Sequence, residues 1–288
     1  RSYQFDVAPG AQVIDLPTGV SEGQVLDLVG QSIAPDVEGD FVYRWELVSQ
    51  TSGQLIASSD TTQFNHQLRD EDDVQLTFTV TDSQGRQSQV VQNWFIANLP
   101  PVLNWDNLPT TANENEHVEF TLGVIDPGLD DEVYSDWSVF YDNGSVYFEE
   151  YGSGSTVSFI PPDQGTYTIY FNAYDDYDGY TSQSRTVEVL NVTPTVEIEG
   201  VPAQISEGDS AILSASVTDP GVYDTTFTYA WQILKDGQLY QSGTDSSIQW
   251  EPDDNGAYEI NLTVLDKDGA AGTQSVSLTV DNVAPVAT

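Results

Sequence analysis

Aspartates follow strand-like segments at a regular spacing along the chain. Asp82, Asp175 and Asp266 each end an alternating segment, and they lie 93 and 91 residues apart. Ca²⁺ prefers about six to eight hard oxygen ligands on flexible loops, whereas Mg²⁺ needs a stricter octahedron. Carboxylates from acidic loops that lie close together would repel one another and destabilise the fold unless a cation lay among them. The acidic loops therefore predict calcium binding.

Other site chemistries have little support in the sequence. The chain has no Cys, and only His66 and His117 could supply nitrogen ligands, so a zinc site is not expected. Neither His lies in a nucleophile or zinc-protease motif, and so many acids offer no distinctive pair for glycoside hydrolysis. An intact EF-hand loop does not occur. We predict no catalytic residue, no enzymatic activity and Ca²⁺ as the cofactor.

The composition limits the classes of partner that the chain can bind. The formal charge is −39, from 46 acidic and 7 basic residues, so nucleic acid and anionic membrane surfaces would be repelled and divalent cations attracted. An aromatic fraction of 11% argues against disorder. Without disulfides, a bound metal is the obvious staple for a small secreted module. No apolar run approaches the ~20 residues of a membrane span. With no signal peptide and no initial Met, the chain is expected to be an excised piece of a longer protein.

Independent landmarks repeat with one period, which predicts three domains. A Trp in a strand-like context recurs at Trp45, Trp137 and Trp231. Junctions of Asn followed by Pro recur at Asn98, Asn191 and Asn282. Repeats of this length predict domains at 1–99, 100–193 and 194–288, in an elongated array.

Within each repeat the pattern is all β. Short alternating segments separated by Gly and Asp turns indicate a β-sandwich, and the central Trp is a mark of the immunoglobulin type. Tyr167 and Tyr258 sit in Asp-x-Gly-x-Tyr, the pattern of a tyrosine corner, whereas the first repeat has Val74 there. Asn143-Gly144 and Asp236-Gly237 predict type I′ turns. The predicted fold is three tandem immunoglobulin-like β-sandwiches without helices.

This topology sorts the acids by position. In an immunoglobulin sandwich, the loops after the second and sixth strands lie at the entry end, and two other turns lie at the exit end. We expect acids from both ends to meet at each junction between domains. The predicted ligands at the first junction are Glu22, Asn98, Asp126, Asp175, Asp176 and Asp178, near Asp72, Asp73, Asp130 and Asp131. Those at the second junction are Glu114, Asp163, Asn191, Asp219, Asp266 and Asp268, near Asp224.

The exit end of the third repeat carries only half of such a site. Glu207 has the position of Glu22 and Glu114 there, with Asp253 and Asp254 beside it. We expect ions at this end to be weak or absent. A plain alternative for any single acid is a solvated turn on an acidic surface that keeps the protein soluble.

Several phrases in the third repeat carry a family resemblance. SEGD, VTDPG, DDNGAY, DKDG and DNVAP follow one another in that order. They resemble the PKD-like and cadherin-like immunoglobulin modules of large bacterial surface adhesins, including the repeats-in-toxin type. The likeness covers the third repeat, most of the second and the first more loosely, and the WDFGDG-like signature of PKD modules is missing.

The resemblance implies a role outside the cell. Such modules are similar to cadherin repeats, in which junctional calcium stiffens a chain of domains. It implies a secreted, monomeric segment at a bacterial cell surface that serves cell adhesion or biofilm formation. The implied partners are neighbouring domains of the same chain, and a glycan or protein on a host or other cell. Accessory modules of a secreted hydrolase are an alternative.

The second repeat is unusually rich in tyrosine. Alternation places Tyr167, Ile169 and Phe171 inward and leaves Tyr170 and Tyr174 outward, with Phe140 outward on the Trp137 strand. An exposed aromatic strip can stack on sugar rings or take a peptide. Cross-strand pairing is the plainer interpretation and the one we favour.

Overall fold

A computed structural model describes residues 8–33 and 40–284 of the 288-residue chain. Within these residues every regular element is a β-strand. The described chain therefore holds no helix that could cross a bilayer. The strands fall into three sets of the same design, one for each sequence repeat.

The first set forms a three-stranded sheet facing a five-stranded sheet. The strands are β1 (Ala11–Ile14), β2 (Val20–Ser21), β3 (Val25–Ser32), β4 (Val42–Ser49), β5 (Leu55–Ser59), β6 (Gln63–Gln67), β7 (Asp73–Thr81) and β8 (Gln87–Ala97). The sheet orders are β1-β3-β6 and β2-β8-β7-β4-β5. Trp45 is fully buried between them, with its ring centroid 4.3 Å from that of Phe78. Strand alternation places this apolar face inward.

The third set repeats this arrangement. The strands are β18 (Thr195–Glu199), β19 (Ile205–Ser206), β20 (Ala211–Thr218), β21 (Thr228–Lys235), β22 (Gln238–Gly243), β23 (Ser247–Trp250), β24 (Gly256–Leu265) and β25 (Ala271–Asp281). The sheet orders are β18-β20-β23 and β19-β25-β24-β21-β22. Trp231, Trp250 and Tyr258 are buried in its core.

The second set has the same five-stranded sheet, with its smaller sheet in two pieces. The strands are β9 (Val102–Asn104), β10 (Thr111–Asn113), β11 (Val118–Thr121), β12 (Gly123–Ile125), β13 (Tyr134–Asp142), β14 (Tyr147–Ser153), β15 (Thr156–Phe159), β16 (Gly165–Tyr174) and β17 (Tyr180–Leu190). The orders are β10-β17-β16-β13-β14, β11-β15 and β12-β9. In all three large sheets the short first strand is parallel to the last strand.

The described chain groups into two compact units. The first consists of Arg1–Asp106, Leu122–Asp136 and Phe171–Gln183, in its described part. The second consists of Asn107–Thr121, Trp137–Tyr170 and Ser184–Thr288, in its described part. This grouping follows backbone proximity and does not test the domain boundaries at 99 and 193, which stay a prediction.

The structure confirms the all-β sandwich design and corrects one turn. Both tyrosine corners form, since the hydroxyl of Tyr167 donates to the Asp163 carbonyl at 2.8 Å and that of Tyr258 to Asp254 at 3.0 Å. Asp236 and Gly237 both have positive φ, as a type I′ turn requires. The type I′ prediction for the other turn is wrong. There Gly144 has φ of 85° and Asn143 is not among the positive-φ residues.

Candidate metal centres

Three equivalent loops hold a buried aspartate at the end of a long strand. The backbone N–H of each aspartate donates to the carbonyl four residues later, which closes the loop. One aspartate oxygen, Oδ1, accepts backbone N–H groups from the same loop, so the carboxylate is fixed in orientation. The three aspartates are Asp82, Asp175 and Asp266.

The other oxygen of these aspartates is held differently in the first loop. The Asn98 amide donates to Asp175 Oδ2 at 3.2 Å, and the Asn191 amide donates to Asp266 Oδ2 at 3.1 Å. In the first loop, Arg86 Nε donates to Asp82 Oδ2 at 2.7 Å instead. The second and third loops are thus tied to the linker that precedes them, and the prediction that both Asn residues are metal ligands stays a prediction.

Six carboxylates in the first compact unit gather around the Asn98 linker, and we call them the first cluster. They are Glu22, Asp70, Glu71, Asp126, Asp131 and Asp175. Oxygens of Glu22, Asp70, Glu71 and Asp131 lie within 4.8 Å of one another, and so do oxygens of Asp126, Asp131 and Asp175. Asp131 belongs to both groups. The cluster therefore has two adjoining sets of oxygen ligands that share one residue.

Several oxygens of the first cluster are buried without a hydrogen-bond donor among the described residues. Glu22 is 1% exposed, and its Oε1 accepts the Leu99 N–H at 2.5 Å while its Oε2 receives no hydrogen bond. Asp126 Oδ2 and the amide oxygen of Asn98 are in the same state. An unsatisfied buried acceptor costs about 1–3 kcal/mol, and more when it is charged. A cation among these oxygens would remove that cost.

Burial and mutual repulsion raise the proton affinity of the cluster. Burial raises the pKa of Asp131 to about 8, and the charges of Glu22, Asp126 and Asp70 add to the effect. Burial likewise raises the pKa of Glu71 to about 7. The pKa of Glu22 is also raised, mainly by burial and against the Leu99 N–H. Without a cation, the carboxylates do not all remain charged near neutral pH.

A glycine gives the cluster its close packing. Gly128 lies in the Asp126-Pro-Gly turn, where its N–H donates to Asp126 Oδ1 at 2.8 Å. A Cβ at this position would lie 2.4 Å from Asp131 Oδ2 and 2.8 Å from Glu22 Oε2. No larger residue fits without moving these oxygens. Gly221 has the same relation to Asp224 and Glu114 in the second cluster described next.

The second cluster lies in the second compact unit, around the Asn191 linker. Its members are Glu114, Asp163, Asp219, Asp224 and Asp266, together with Lys267. Oxygens of Glu114, Asp163 and Asp224 lie within 4.8 Å of one another. Glu114 is 2% exposed, and its Oε1 accepts the Val192 N–H at 2.7 Å while its Oε2 receives no hydrogen bond. Burial raises the pKa of Glu114 to about 7, helped by the nearby aspartates.

Lys267 supplies a positive charge inside this second cluster. Its Nζ lies 2.7 Å from Asp163 Oδ1 and 2.9 Å from Asp224 Oδ1, and it also contacts Asp268. The lysine side chain is 27% exposed. Burial works against its charge, but the three carboxylates raise its pKa above the usual value. Lys267 therefore stays protonated.

The structure brings together most, but not all, of the predicted ligands. Glu22, Asp126 and Asp175 lie in the first cluster. Asp176 and Asp178 are exposed and outside it, with Asp176 Oδ1 accepting the Glu132 N–H at 3.1 Å. The predicted second-junction set gathers around the second cluster, where Asp268 takes part through Lys267. These placements leave the metal assignments themselves as predictions.

Two members of the first cluster were named neither as predicted ligands nor as acids near them. Asp70 and Glu71 belong to a run of four acids in which we favoured the last two, Asp72 and Asp73. In the structure Asp70 has the same register as Asp163: the Leu68 carbonyl, two residues before Asp70, accepts the Gly23 N–H, and the Pro161 carbonyl, two residues before Asp163, accepts the Asn115 N–H. Asp130 forms an ion pair with Arg69, at 2.6 Å between Oδ1 and Nη2.

Glu207 forms the same linker contact as its two counterparts but keeps no free oxygen. Its Oε1 accepts the Val283 N–H at 2.9 Å, and its Oε2 accepts the Asn255 N–H at 3.0 Å. Beside it, Asp254 pairs with Lys235 at 2.9 Å. At this end of the third set, Glu207 and Asp254 are thus bound by groups of the third set and of the chain that follows it.

The aromatic residues of the second repeat pair with neighbours on their own sheet. In the second compact unit, Phe140 is half-buried and meets Tyr147 edge to face at 5.6 Å, and Tyr170 is 45% exposed. In the first compact unit, the rings of Tyr174 and Tyr180 lie 5.1 Å apart. Tyr170 and Tyr174 point outward as predicted. Of the three residues proposed to bind a glycan or peptide, Phe140 and Tyr174 have an aromatic partner on the neighbouring strand.

Comparison with known proteins gives one family match, over about a third of the chain. Residues 191–280 match the PKD domain. No curated protein matches the chain.

Solved structures similar to the chain include three with low sequence identity. The fibronectin(III)-like modules of Clostridium thermocellum CbhA are 17% identical, over 63% of this chain and 94% of that one, with a TM-score of 0.27. The FN1-FN3 domains of chicken CNTN1 are 10% identical, over 95% and 98%, with a TM-score of 0.29. Three N-terminal domains of the bacteriophage RB49 Highly Immunogenic Outer Capsid protein are 13% identical, over 96% and 99%, with a TM-score of 0.27.

The family match is consistent with the repeats and the sandwiches. The stretch 191–280 begins at the Asn191 linker and ends in the last strand, so it covers the third set of strands. PKD domains are typical of extracellular modular proteins and are typically non-catalytic. The chain is a tandem of immunoglobulin-like modules, of which residues 191–280 match the PKD domain.

Proposed function

We propose that this chain is a non-enzymatic, calcium-stiffened segment of an extracellular adhesin on a bacterial surface. Its role is to project or position ligand-binding modules in cell adhesion. The observation that carries the proposal is the first cluster, where buried carboxylates from two successive sandwiches converge without enough hydrogen-bond donors. Glu22 Oε2, with Glu22 only 1% exposed, is the clearest of these oxygens.

The ligand chemistry of the first cluster fits calcium. The available atoms are carboxylate oxygens and the amide oxygen of Asn98, with no sulfur and no imidazole nitrogen in the cluster. Hard oxygen ligands in this number suit Ca²⁺ better than Mg²⁺, which keeps its own waters and a strict octahedron. The two adjoining oxygen sets offer room for more than one ion. Bound calcium would neutralise charges that otherwise repel.

The origin of the ligands explains how an ion would stiffen the chain. Glu22, Asp70 and Glu71 belong to the first sandwich, whereas Asp126 and Asp131 belong to the second. An ion bound by both groups ties the two sandwiches through the short linker at Asn98. Without it, the like charges favour separation of the two groups. Calcium therefore acts on the junction more than on either core.

The composition and the modules support a role outside the cell without catalysis. A formal charge of −39 disfavours nucleic acid and anionic membranes as partners. The PKD domain match agrees with an extracellular, non-catalytic module. The partners we propose are neighbouring modules of the same chain, and a protein or glycan on another cell that is bound elsewhere.

Thermal unfolding and small-angle X-ray scattering of the full chain test this proposal. We expect calcium to raise the free energy of unfolding by about 2.7 kcal/mol per site at a hundredfold excess over Kd. Chelator should lower the melting temperature and change the maximum dimension, and magnesium at the same concentration should not restore either. An unchanged melting point and an unchanged maximum dimension in chelator would contradict the proposal.

A glycan- or peptide-binding role for the second repeat is a second candidate. It is supported by the exposure of Tyr170, which is 45% accessible on the outward face of its sheet. Glycan-array binding by the full chain, compared with Tyr170→Ala and Tyr174→Ala variants, tests it. Binding that survives both substitutions would remove these tyrosines from consideration.

A further inference from the structure

The two clusters are built from equivalent residues, which allows a position-by-position comparison. Each has an Asp-Pro-Gly-x-x-Asp turn, a glutamate that accepts a linker N–H, and a buried aspartate bound by a linker asparagine. The equivalent residues, first cluster then second, are Glu22 and Glu114, Asp70 and Asp163, Asp126 and Asp219, Asp131 and Asp224, Asp175 and Asp266, and Asn98 and Asn191.

The clusters differ sharply at the position directly after the buried aspartate. In the first cluster this residue is Asp176, which is exposed and caps the Glu132 N–H. In the second cluster it is Lys267, whose ammonium lies within 2.9 Å of both Asp163 and Asp224. These two carboxylates correspond to Asp70 and Asp131. The Lys267 ammonium thus lies among the oxygens that correspond to those of Asp70 and Asp131. In the first cluster, no member supplies a positive charge to these oxygens.

We propose that Lys267 replaces a divalent cation in the second cluster. The ammonium supplies there the positive charge that calcium would supply in the first cluster, and it is held by the chain at every calcium concentration. The cluster remains a latent metal site, because Glu114 is 2% exposed and its Oε2 receives no hydrogen bond from the described residues. This inference rests on the proposed function only for its comparison with the first cluster.

An ammonium and a calcium ion do not stabilise a junction in the same way. Lysine carries one charge and three donors, whereas calcium carries two charges and accepts about six to eight oxygens. Lys267 reaches three carboxylates, so part of the second cluster stays unsatisfied, as Glu114 Oε2 indicates. The positive charge in the second cluster is therefore independent of calcium, and removal of Lys267 should expose a calcium site there.

The test compares the 288-residue chain with its Lys267→Gln variant. Calcium stoichiometry is measured by isothermal titration calorimetry, and local protection by hydrogen exchange of the Leu99 and Val192 amides. These two N–H groups bond the equivalent glutamates, at 2.5 Å to Glu22 and 2.7 Å to Glu114. In the parent chain we expect calcium to protect Leu99 and not Val192. In the variant we expect one more bound calcium and calcium-dependent protection of Val192.

Arg44→Gln is the matched control, because Arg44 pairs with Glu46 and Asp60, which belong neither to a cluster nor to the acids at the exit end. It should leave the calcium stoichiometry unchanged. The reciprocal change, Asp176→Lys, brings an ammonium to the first cluster. It should weaken calcium binding there by about tenfold or more, which corresponds to 1.4 kcal/mol per factor of ten.

The outcomes separate this inference from the proposed function. If the parent chain binds calcium at Leu99 but Lys267→Gln gains no ion, the inference is overturned and the proposed function stands. If the parent binds no calcium but the variant does, the proposed function fails and the inference holds. If Lys267→Gln unfolds in chelator, recovery by calcium supports the inference. Failure to recover in calcium, with Lys267→Arg folded, contradicts it.

Discussion

Replacement of one buried carboxylate should have opposite effects with and without calcium. Glu22→Gln keeps the oxygen that accepts the Leu99 N–H at 2.5 Å and converts the other oxygen to an amide nitrogen. In chelator the change removes a charge whose burial and neighbours raise its pKa, so it should stabilise the chain. In calcium it removes one ligand and should destabilise the same chain.

The size of the calcium-dependent loss follows from linkage. At a hundredfold excess over Kd, one calcium site contributes about 2.7 kcal/mol, and a tenfold weaker site contributes about 1.4 kcal/mol at the same concentration. Loss of one charged ligand from a set of this kind is expected to weaken binding by about tenfold, since lower ligand charge reduces affinity. Relative to its effect in chelator, the variant should lose about 1.3 kcal/mol in calcium, which lowers the melting temperature by roughly 3–10 °C.

The assay is thermal unfolding of parent and variant chains, each in calcium and in chelator. Glu207→Gln is the matched control, because Glu207 has the same linker contact but its Oε2 accepts the Asn255 N–H at 3.0 Å. Its effect should have the same sign with and without calcium. The reasoning would be refuted by a Glu22→Gln variant whose melting shift does not change sign between the two conditions.

Three further perturbations follow from the geometry. Gly128→Ala places a methyl carbon 2.4 Å from Asp131 Oδ2, so calorimetry should show at least about tenfold weaker calcium binding, whereas Gly19→Ala, with nothing within 4 Å, should not. In chelator, chemical denaturation should show that the free energy of unfolding falls as the pH rises from about 4 to 8. The cause is that the folded-state pKa is raised to about 8 for Asp131 and to about 7 for Glu71, so the folded chain binds protons more tightly than the unfolded chain. A flat profile would contradict this. Tyr258→Phe removes the hydrogen bond of the third-repeat corner and should cost about 1 kcal/mol in the same denaturation assay.

The periodic landmarks made the fold predictable from the sequence. Trp45, Trp137 and Trp231 occupy equivalent buried strand positions, and Asp-x-Gly-x-Tyr gave both tyrosine corners. These predictions are correct because the alternation of side chains along a strand decides which of them face the core. The turn at Asn143 was less predictable, since β13 ends at Asp142 and β14 begins at Tyr147, which leaves a four-residue connection in place of a two-residue turn, and within it only Gly144 has positive φ.

The gathering of acids near the Asn98 and Asn191 linkers was predictable, whereas the full membership of each cluster was not. Glu22 and Glu114 recur at a fixed place, and their linker contacts explain why. In contrast, the acid run at 70–73 has no internal signal that selects Asp70 and Glu71. The role of Lys267 was also missed, because a single basic residue in an acidic loop looks like an ordinary surface charge. Which acids converge depends on loop conformation, which alternation does not encode.

The first cluster draws its carboxylates from two successive sandwiches, and this has a consequence for how such chains can evolve. A sandwich transferred alone to another protein carries only part of each carboxylate cluster. Duplication or recombination would therefore preserve a working joint only when neighbours move together, or when the new neighbour presents the complementary half. Under the proposed calcium-binding function, substitutions at these positions would be selected in pairs across adjacent modules, and the order of the modules would be maintained.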